Sequence, residues 1–383
     1  MLVVVLLAVV EARGACSVDE RGDVREALRR CTSVRVVGEV VAKPVVVTES
    51  QTLEIEGRWR AWPTPDGFKI LEEKHRQYQP VIDVVGSRVR VTGGGVLDGQ
   101  GDKYWWHDRA GNHLRPPRLL RVRGEDVEIS RLHFINSPFW TIHLFLCRRV
   151  TVTNVTITNI GASQTDGVDV DSCEQTLVDS IRVTARDDAI AYKATMGVSR
   201  AHVARRVYAA GDGSRGGSLA VGSETNRGIS DVLIESSNVE NASAGILIKT
   251  RPSRGGYIRN ILFRDIKMAR VHRPLYLDAA YGGDTTSDDC CAVPPRDSAV
   301  DVTNITFNTI HATPWDGLRG ATLVGTDRVP FRDLHFRGLR LNGTADAAKP
   351  SFYKCCCAFG DSSDTFPPSL ARPTRRVCWN KKS

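Results

Sequence analysis

Through the middle and later parts of the chain, apolar residues fall on every second position in short runs, and the runs themselves recur. Val127-Glu-Ile-Ser-Arg-Leu-His-Phe134 and Val150-Thr-Val-Thr-Asn-Val-Thr-Ile157 share the pattern V-x-I-x-x-L-x-F, with apolar residues exchanging for one another. Looser copies begin near Thr176, Ala201, Val232, Ile261, Ile305 and Leu334, at steps of 23, 26, 25, 31, 29, 44 and 29 residues. An apolar period of two excludes a helical repeat, which needs a period of 3.6. Each unit reads as two short strands joined by a turn, too small to bury its own apolar face. Stacking the units along one axis buries it, which is the principle of a solenoid. The variable step fits, because insertions loop out without disturbing the stack. A β-sandwich would instead bring hairpin strands every ~8–12 residues, and few Asn-Gly or Asp-Gly hairpins separate these strands. The pattern therefore predicts an all-β, single-stranded, right-handed parallel β-helix. Arg21–Arg30 is the one convincing amphipathic helix, placed to cap the open N-terminal edge.

No linker or compositional break divides the chain. The expected organisation is a signal peptide over 1–15, one β-helix domain over 16–354, and a Cys-, Pro- and Arg-rich cap or tail over 355–383. The apolar run 2–10, followed by small residues around Gly14-Ala15, resembles a secretory signal; a buried N-terminal strand is the alternative. Ten cysteines, among them Cys290-Cys291 and Cys355-Cys356-Cys357, suit disulfide staples in the end regions. N-x-S/T sequons stand at Asn154, Asn241, Asn304 and Asn342. Together these features point to a secreted protein of the extracellular space or cell wall.

Composition adds limits. With 41% apolar and 25% charged residues the chain is no disordered polymer, and no apolar run reaches the ~18 residues of a membrane span. A net charge of +8 admits nucleic acid, an anionic membrane or an acidic polymer as partner. There is no P-loop, dinucleotide motif or basic-aromatic interleaving, and no two histidines stand at metal-ligand spacing. The expectation is a monomer with no cofactor, no metal, no nucleic-acid partner and no membrane.

The candidate chemistry lies in two acidic clusters, Gln164-Thr-Asp-Gly167 and Arg186-Asp-Asp-Ala189. Asp166 precedes Asp187 and Asp188 by 21 and 22 residues, close to one repeat step. Residues one coil apart in a parallel β-helix stack at roughly 4.8 Å, so the spacing predicts three carboxylates on one face. Like charges at that distance raise one another's pKa, leaving one group protonated while others ionise. Glycoside hydrolysis needs that division: an acid for the leaving oxygen and a carboxylate to activate water. The plain alternative is that Asp-Gly and Asp-Asp only make turns. Asp169 and Asp171 are expected to be solvated or turn-capping, and Trp105 and Trp106 either to stack on sugar or to pack at a coil end.

Several segments, in order, resemble glycoside hydrolase family 28, the polygalacturonases. They are Gly93-Gly-Gly-Val-Leu-Asp-Gly-Gln-Gly101 with Trp105-Trp106, Asn136-Ser-Pro-Phe-Trp-Thr-Ile-His143, Thr165-Asp-Gly-Val-Asp169, Asp187-Asp-Ala-Ile-Ala191, Gly222-Ser-Glu224 and Arg254-Gly-Gly-Tyr-Ile-Arg-Asn-Ile261. The likeness is strong over about residues 86–345 and faint before. It implies a right-handed parallel β-helix and hydrolysis of α-1,4-galacturonosyl links with inversion, in pectin or a similar acidic polysaccharide. By matching motifs Asp187 would be the general acid, with Asp166 and Asp188 positioning water. Lys249 matches the lysine of the R-I-K motif, and Tyr281 a tyrosine near the site.

The chain departs from the family at four positions. Gln164 replaces an Asn, keeping a substrate-binding amide. Arg186 replaces a Gly or Gln and is expected to favour ionisation of the adjacent aspartates. Leu247 replaces the Arg of R-I-K, so Arg251 or Arg254 is expected to take over carboxylate binding. Gly217 stands at the histidine of G-H-G, which a plant-type branch with G-S-E and R-G-G-Y segments also lacks. Two other readings follow: a catalytically impaired polysaccharide-binding solenoid, motivated by Gly217 and Leu247, or a polysaccharide lyase on the same fold.

Overall fold

The computed structural model describes residues 14–71, 76–102, 114–213, 215–251, 253–281, 300–314, 321–325, 330–341, 352–356 and 358–365. Residues 1–13, Trp105, Trp106, His107, Cys290, Cys291, Asn342 and Cys357 lie outside them, as does most of the expected tail.

Among the described residues the only antiparallel strand pair is Ile70–Leu71 with Gln77–Tyr78; all other named strands pair in parallel, coil upon coil. The molecule is the expected right-handed parallel β-helix. Three faces run along its axis. The repeat face is built on the V-x-I half of the repeat, and its register reproduces the copies seen in the sequence. Val127 lies opposite Val150, then Thr176, His202, Val232, Ile261, Ile305 and Leu334. One copy is corrected by a single residue: the aligned position is His202, not Ala201. A polar residue there hides the register from an apolar pattern. His202 is buried, and its ring nitrogens meet the Thr176 and Ser199 hydroxyls at 2.8 and 3.0 Å.

Immediately before each aligned residue the chain turns a corner through a left-handed backbone. Asp126, Arg149, Gln175, Ala201, Asp231, Asn260, Asn304 and Asp333 all have φ between 52 and 61°. Asn and Asp tolerate that region best among residues with a Cβ, and they hold five of these eight positions. A second corner follows the V-x-I strand at Arg131, Asn154, Ser180 and Arg206, again with positive φ. The V-x-I-x-x-L-x-F unit is therefore two strands bent about one left-handed residue. The sequons at Asn154 and Asn304 occupy such corners and are exposed.

Inward positions fill the core with Val, Ile, Leu and Phe; Phe263, Phe307 and Phe336 stack on three successive coils at 5.5 and 4.9 Å between ring centroids. The capping helix spans Val24–Arg30, starting later than the amphipathic pattern because Asp23 caps it, accepting from the Arg25 N–H at 2.8 Å. It buries Val24, Ala27 and Leu28, and Cys16–Cys31 ties its end to the first strand. The second disulfide, Cys147–Cys173, joins neighbouring coils in the middle of the stack and not at an end. The strands Phe352–Cys356 and Ala358–Ser363 continue two of the faces, so the boundary expected at 354 falls inside the last described coil.

Candidate active site

On the third face, here the site face, Val168–Asp171 pairs with Ile190–Ala194, Val168 opposite Ile190. Asp166 and Asp188 each sit two residues before these aligned positions, and the Gly167 N–H donates to the Asp188 carbonyl at 2.9 Å. The two aspartates are thus neighbours on adjacent coils. Side-chain oxygens of Asp166, Asp187 and Asp188 all lie within 4.8 Å of one another, as the spacing predicts. Asp166 and Asp188 are buried and Asp187 half-buried.

Two lysines neutralise this cluster. Lys249, at the end of the strand Gly228–Lys249, donates from Nζ to Asp188 Oδ2 at 2.6 Å and lies 5.2 Å from the centre of the Tyr281 ring. Lys193, on the strand after the paired aspartates, is buried between Asp169, Glu224 and Asp166 at 2.9, 3.3 and 3.5 Å. Its ammonium also sits 3.7 Å above the Trp140 ring, a cation–π contact.

Burial, then repulsion from Asp166 and Asp188, pushes Asp187 up to about 8, against the pull of Lys249 and Lys193. Burial and then the neighbouring Asp169 hold Asp166 well above the ordinary carboxylate range. Burial likewise raises Asp169 to about 6, opposed by Lys193. Glu224 goes the other way: burial would raise it, but Lys193 and Lys249 bring it down to about 2. Burial alone would lower Lys193, and its three acidic neighbours, Asp169 foremost, overcome that and hold it raised. The three trio oxygens lie close enough to share one cation, yet two ammonium groups already supply positive charge there and oppose another.

The remaining sequence-predicted residues fall in different places. Tyr281 lies beside Lys249. Gln164 is exposed, with left-handed φ of 59°. Arg254 donates to Asn226 Oδ1 at 3.1 Å on the wall of a neighbouring cleft. Leu247 is buried among Ala191, Ala220 and Ala244, against Tyr276. Three expectations are corrected. Asp169 and Asp171 are buried, not solvated, because Lys193 pairs with one and the Thr195 N–H and hydroxyl bond the other. Arg186 does not promote ionisation of Asp187, because its Nε turns away to Asp212 Oδ2 at 2.8 Å. Lys193, Trp140 and the cleft residues Arg115, Arg118 and Arg121 were not singled out from the sequence. For Lys193 a signal existed: it lies on an alternate position of the strand that follows Asp188, so it faces outward with Ala191.

Register places Arg121, His143, Asp169, Ala191, Ala220, Leu247 and Tyr276 in one outward column along the axis. The column passes from cation through the acidic centre to an apolar wall. On the Arg121 side of Asp169 lies a cleft of about 480 Å³.

An open solenoid face bearing a half-buried protonated carboxyl beside ion-paired carboxylates has the form of a carbohydrate-cleaving acid–base site. Comparison with known proteins agrees. The family model for glycosyl hydrolases family 28 matches residues 31–357, beginning well before the likeness visible by eye, and the chain belongs to that family. It is 27% identical over 326 residues to a probable polygalacturonase of Arabidopsis thaliana, covering 83% of this chain and 70% of that protein. It is 26% identical over 328 residues to an endo-polygalacturonase of Sclerotinia sclerotiorum, covering 80% of each. Two other plant relatives are spanned over only 42% and 53% of their lengths. The solved polygalacturonase of Erwinia carotovora ssp. carotovora superposes with TM-score 0.72 at 18% identity, covering 86% of this chain and 93% of that one, a likeness of fold.

Proposed function

We propose that this protein is a secreted, monomeric hydrolase of pectic α-1,4-galacturonosyl linkages that works by acid–base catalysis with inversion and without a cofactor. The observation that carries the reading is the gathering of Asp187, Asp166 and Asp188 within 4.8 Å, with Lys249 bonded to Asp188. Asp187, raised to about 8, keeps its proton at neutral pH and donates it to the leaving oxygen. Asp166 and Asp188 hold the attacking water jointly. Oxygens no more than 4.8 Å apart can be bridged by one water, since two hydrogen bonds of ~2.8 Å span up to ~5.6 Å. The gap is shorter than the ~6.5–9.5 Å usual where a single base faces a single acid; sharing one water between two carboxylates supports inversion here. Lys249 and Tyr281 bind the sugar beside the cleaved bond. No helix among the described residues is long and apolar enough to cross a membrane, and the apolar start of the chain supports export.

Product analysis on polygalacturonate tests this reading. The expected result is new reducing ends whose first-formed anomer, followed by proton NMR, is inverted. A retained anomer overturns the stereochemistry, and unsaturated ends overturn hydrolysis in favour of elimination. If wild type and Asp187→Asn are equally silent on several acidic glycans, the polysaccharide-binding reading motivated by Gly217 and Leu247 takes its place.

A further inference from the structure

We propose that Lys193 is a positioning residue for the hydrolysis: it acts on Asp166 as Lys249 acts on Asp188, so that each water-holding carboxylate has its own ammonium and the acid has none. This rests on the hydrolase reading for the roles of the three aspartates. Lys249 bonds Asp188 at 2.6 Å, and Lys193 reaches Asp166 at 3.5 Å. Among the described residues no lysine or arginine lies within ion-pair distance of Asp187, whose Oδ1 instead accepts from the Asp188 N–H at 3.0 Å.

The strands on either side turn Lys193 toward the trio. In register it lies opposite Asp171, but Asp171 is already taken by the Thr195 N–H and hydroxyl at 2.9 and 2.7 Å. The side chain instead leans back across Ala191, the residue opposite Asp169, whose single methyl leaves the way open. On the following coil a bulge brings Glu224 to it. Between the pairs Tyr192–Val221 and Ala194–Thr225, Lys193 alone faces Gly222, Ser223 and Glu224, and such bulges re-aim side chains beside active sites. Trp140 closes the remaining side, its ring centre 3.7 Å from the ammonium. At 3% exposure Lys193 is shut off from a sugar by these partners, so its effect passes through Asp166. The charged groups facing Asp166 are Asp169 on its own coil, Asp187, Asp188 and Lys193 on the next, and Lys249 beyond them, with Glu224 behind Lys193. His143 on the preceding coil, brought down to about 3 chiefly by burial, carries no charge. Of these groups only the two lysines favour an ionised Asp166, Lys193 the more strongly.

The test is the pH dependence of kcat and KM for reducing-end release from polygalacturonate, in wild type, Lys193→Met and Glu224→Gln. In Lys193→Met the acidic limb of kcat/KM is expected to move up by about one to three pH units, the shift that an opposite charge at this distance supplies. KM is expected to change little, because the residue does not touch the sugar. In Glu224→Gln the limb is expected to move down, since a negative charge is removed and Lys193 is left with fewer acids to serve. A limb unmoved in both variants overturns the proposal whatever the loss of rate, because a purely structural lysine lowers activity equally at every pH. A raised KM with unchanged kcat in Lys193→Met also overturns it, making Lys193 a sugar-binding residue. Should thermal melting show that Lys193→Met does not fold, the limb in Glu224→Gln decides. Carbon-13 NMR of the Asp166 carboxyl, assigned with Asp166→Asn, follows the same displacements without turnover. A wild-type protein that releases no reducing ends would sink the hydrolase reading, and the carboxyl titration would still decide whether Lys193 governs Asp166.

Discussion

Gly217 is where the resemblance leads to an expected histidine, and the backbone leaves no room for a side chain there. Gly217 has φ of 78°, and a Cβ there would lie 2.5 Å from the Gly211 nitrogen and 2.7 Å from the Ala210 carbonyl carbon, both backbone atoms. Gly217→His is therefore expected to lower the melting temperature and soluble yield with no gain in hydrolysis; a variant that melts like wild type and turns over faster would contradict this. Asp187 carries the opposite kind of tension. Its carboxyl is raised from an ordinary value near 3.8 to about 8, so the folded state binds more protons than the unfolded one between those values. Stability is fully present below the lower pH and is lost as pH rises through the upper. Asp187→Asn removes that loss while deleting the proposed acid. Hydrolysis is expected to fall roughly 10²–10⁴-fold, while melting temperatures match wild type near pH 4 and exceed it by a few degrees near pH 8–9. A variant equal to wild type at both pH values would show that Asp187 is not strained by its neighbours.

Single elements of this chain are weak, and their stability comes from the coil on either side. No strand buries its apolar face alone, not even the long runs Gly228–Lys249 and Tyr257–Asp278, and the Phe263–Phe307–Phe336 stack shows how the deficit is met. Phe307, between the other two rings, is expected to cost about 3–5 kcal/mol when replaced by Ala, read as a lower denaturant midpoint; a loss below about 1 kcal/mol would mean that the coils do not depend on this column. Strands were legible in the sequence because β-branched residues at period two admit few other readings. Corners were not. Arg149, Gln175 and Ala201 adopt left-handed φ without being Gly, Asn or Asp, since neighbouring coils impose the bend, and no local signal marks it. The slip from Ala201 to His202 arises because a polar residue holds the aligned position.

At the scale of the molecule, a parallel stack has two open ends, and exposed edges invite other chains to pair. The N-terminal edge is closed by the helix Val24–Arg30 and by Gln51, whose Nε2 donates to the Leu28 and Cys31 carbonyls at 2.6 and 3.0 Å. Leu28→Asp is expected to release this cap and shift elution towards higher oligomers; a profile unchanged from wild type at the same concentration would show that the edge is protected in another way. Charge is also distributed at this scale. On the repeat face arginines meet acids one coil away, as Arg149 meets Asp126 and Arg264 meets Glu235. Such exposed pairs contribute little to stability, roughly 0–1 kcal/mol each, and among the described residues they leave no uniform basic coat on this face.

The amino-acid order by itself determined the solenoid, because period-two apolar runs at a near-constant step are buried by stacking on one another. It also determined the meeting of Asp166 with Asp187 and Asp188, since a separation equal to one coil places residues side by side whatever the intervening turn. Only the tertiary structure decided what surrounds those carboxylates. Lys193, Trp140, Glu224 and the cleft arginines come from segments up to 139 residues apart, from Arg115 to Arg254, and their approach depends on corner geometry that local sequence does not encode. Burial and neighbouring charge, which hold Asp187 protonated and fill the place of Gly217 with backbone, are properties of that packing. They arise only once the coils are closed.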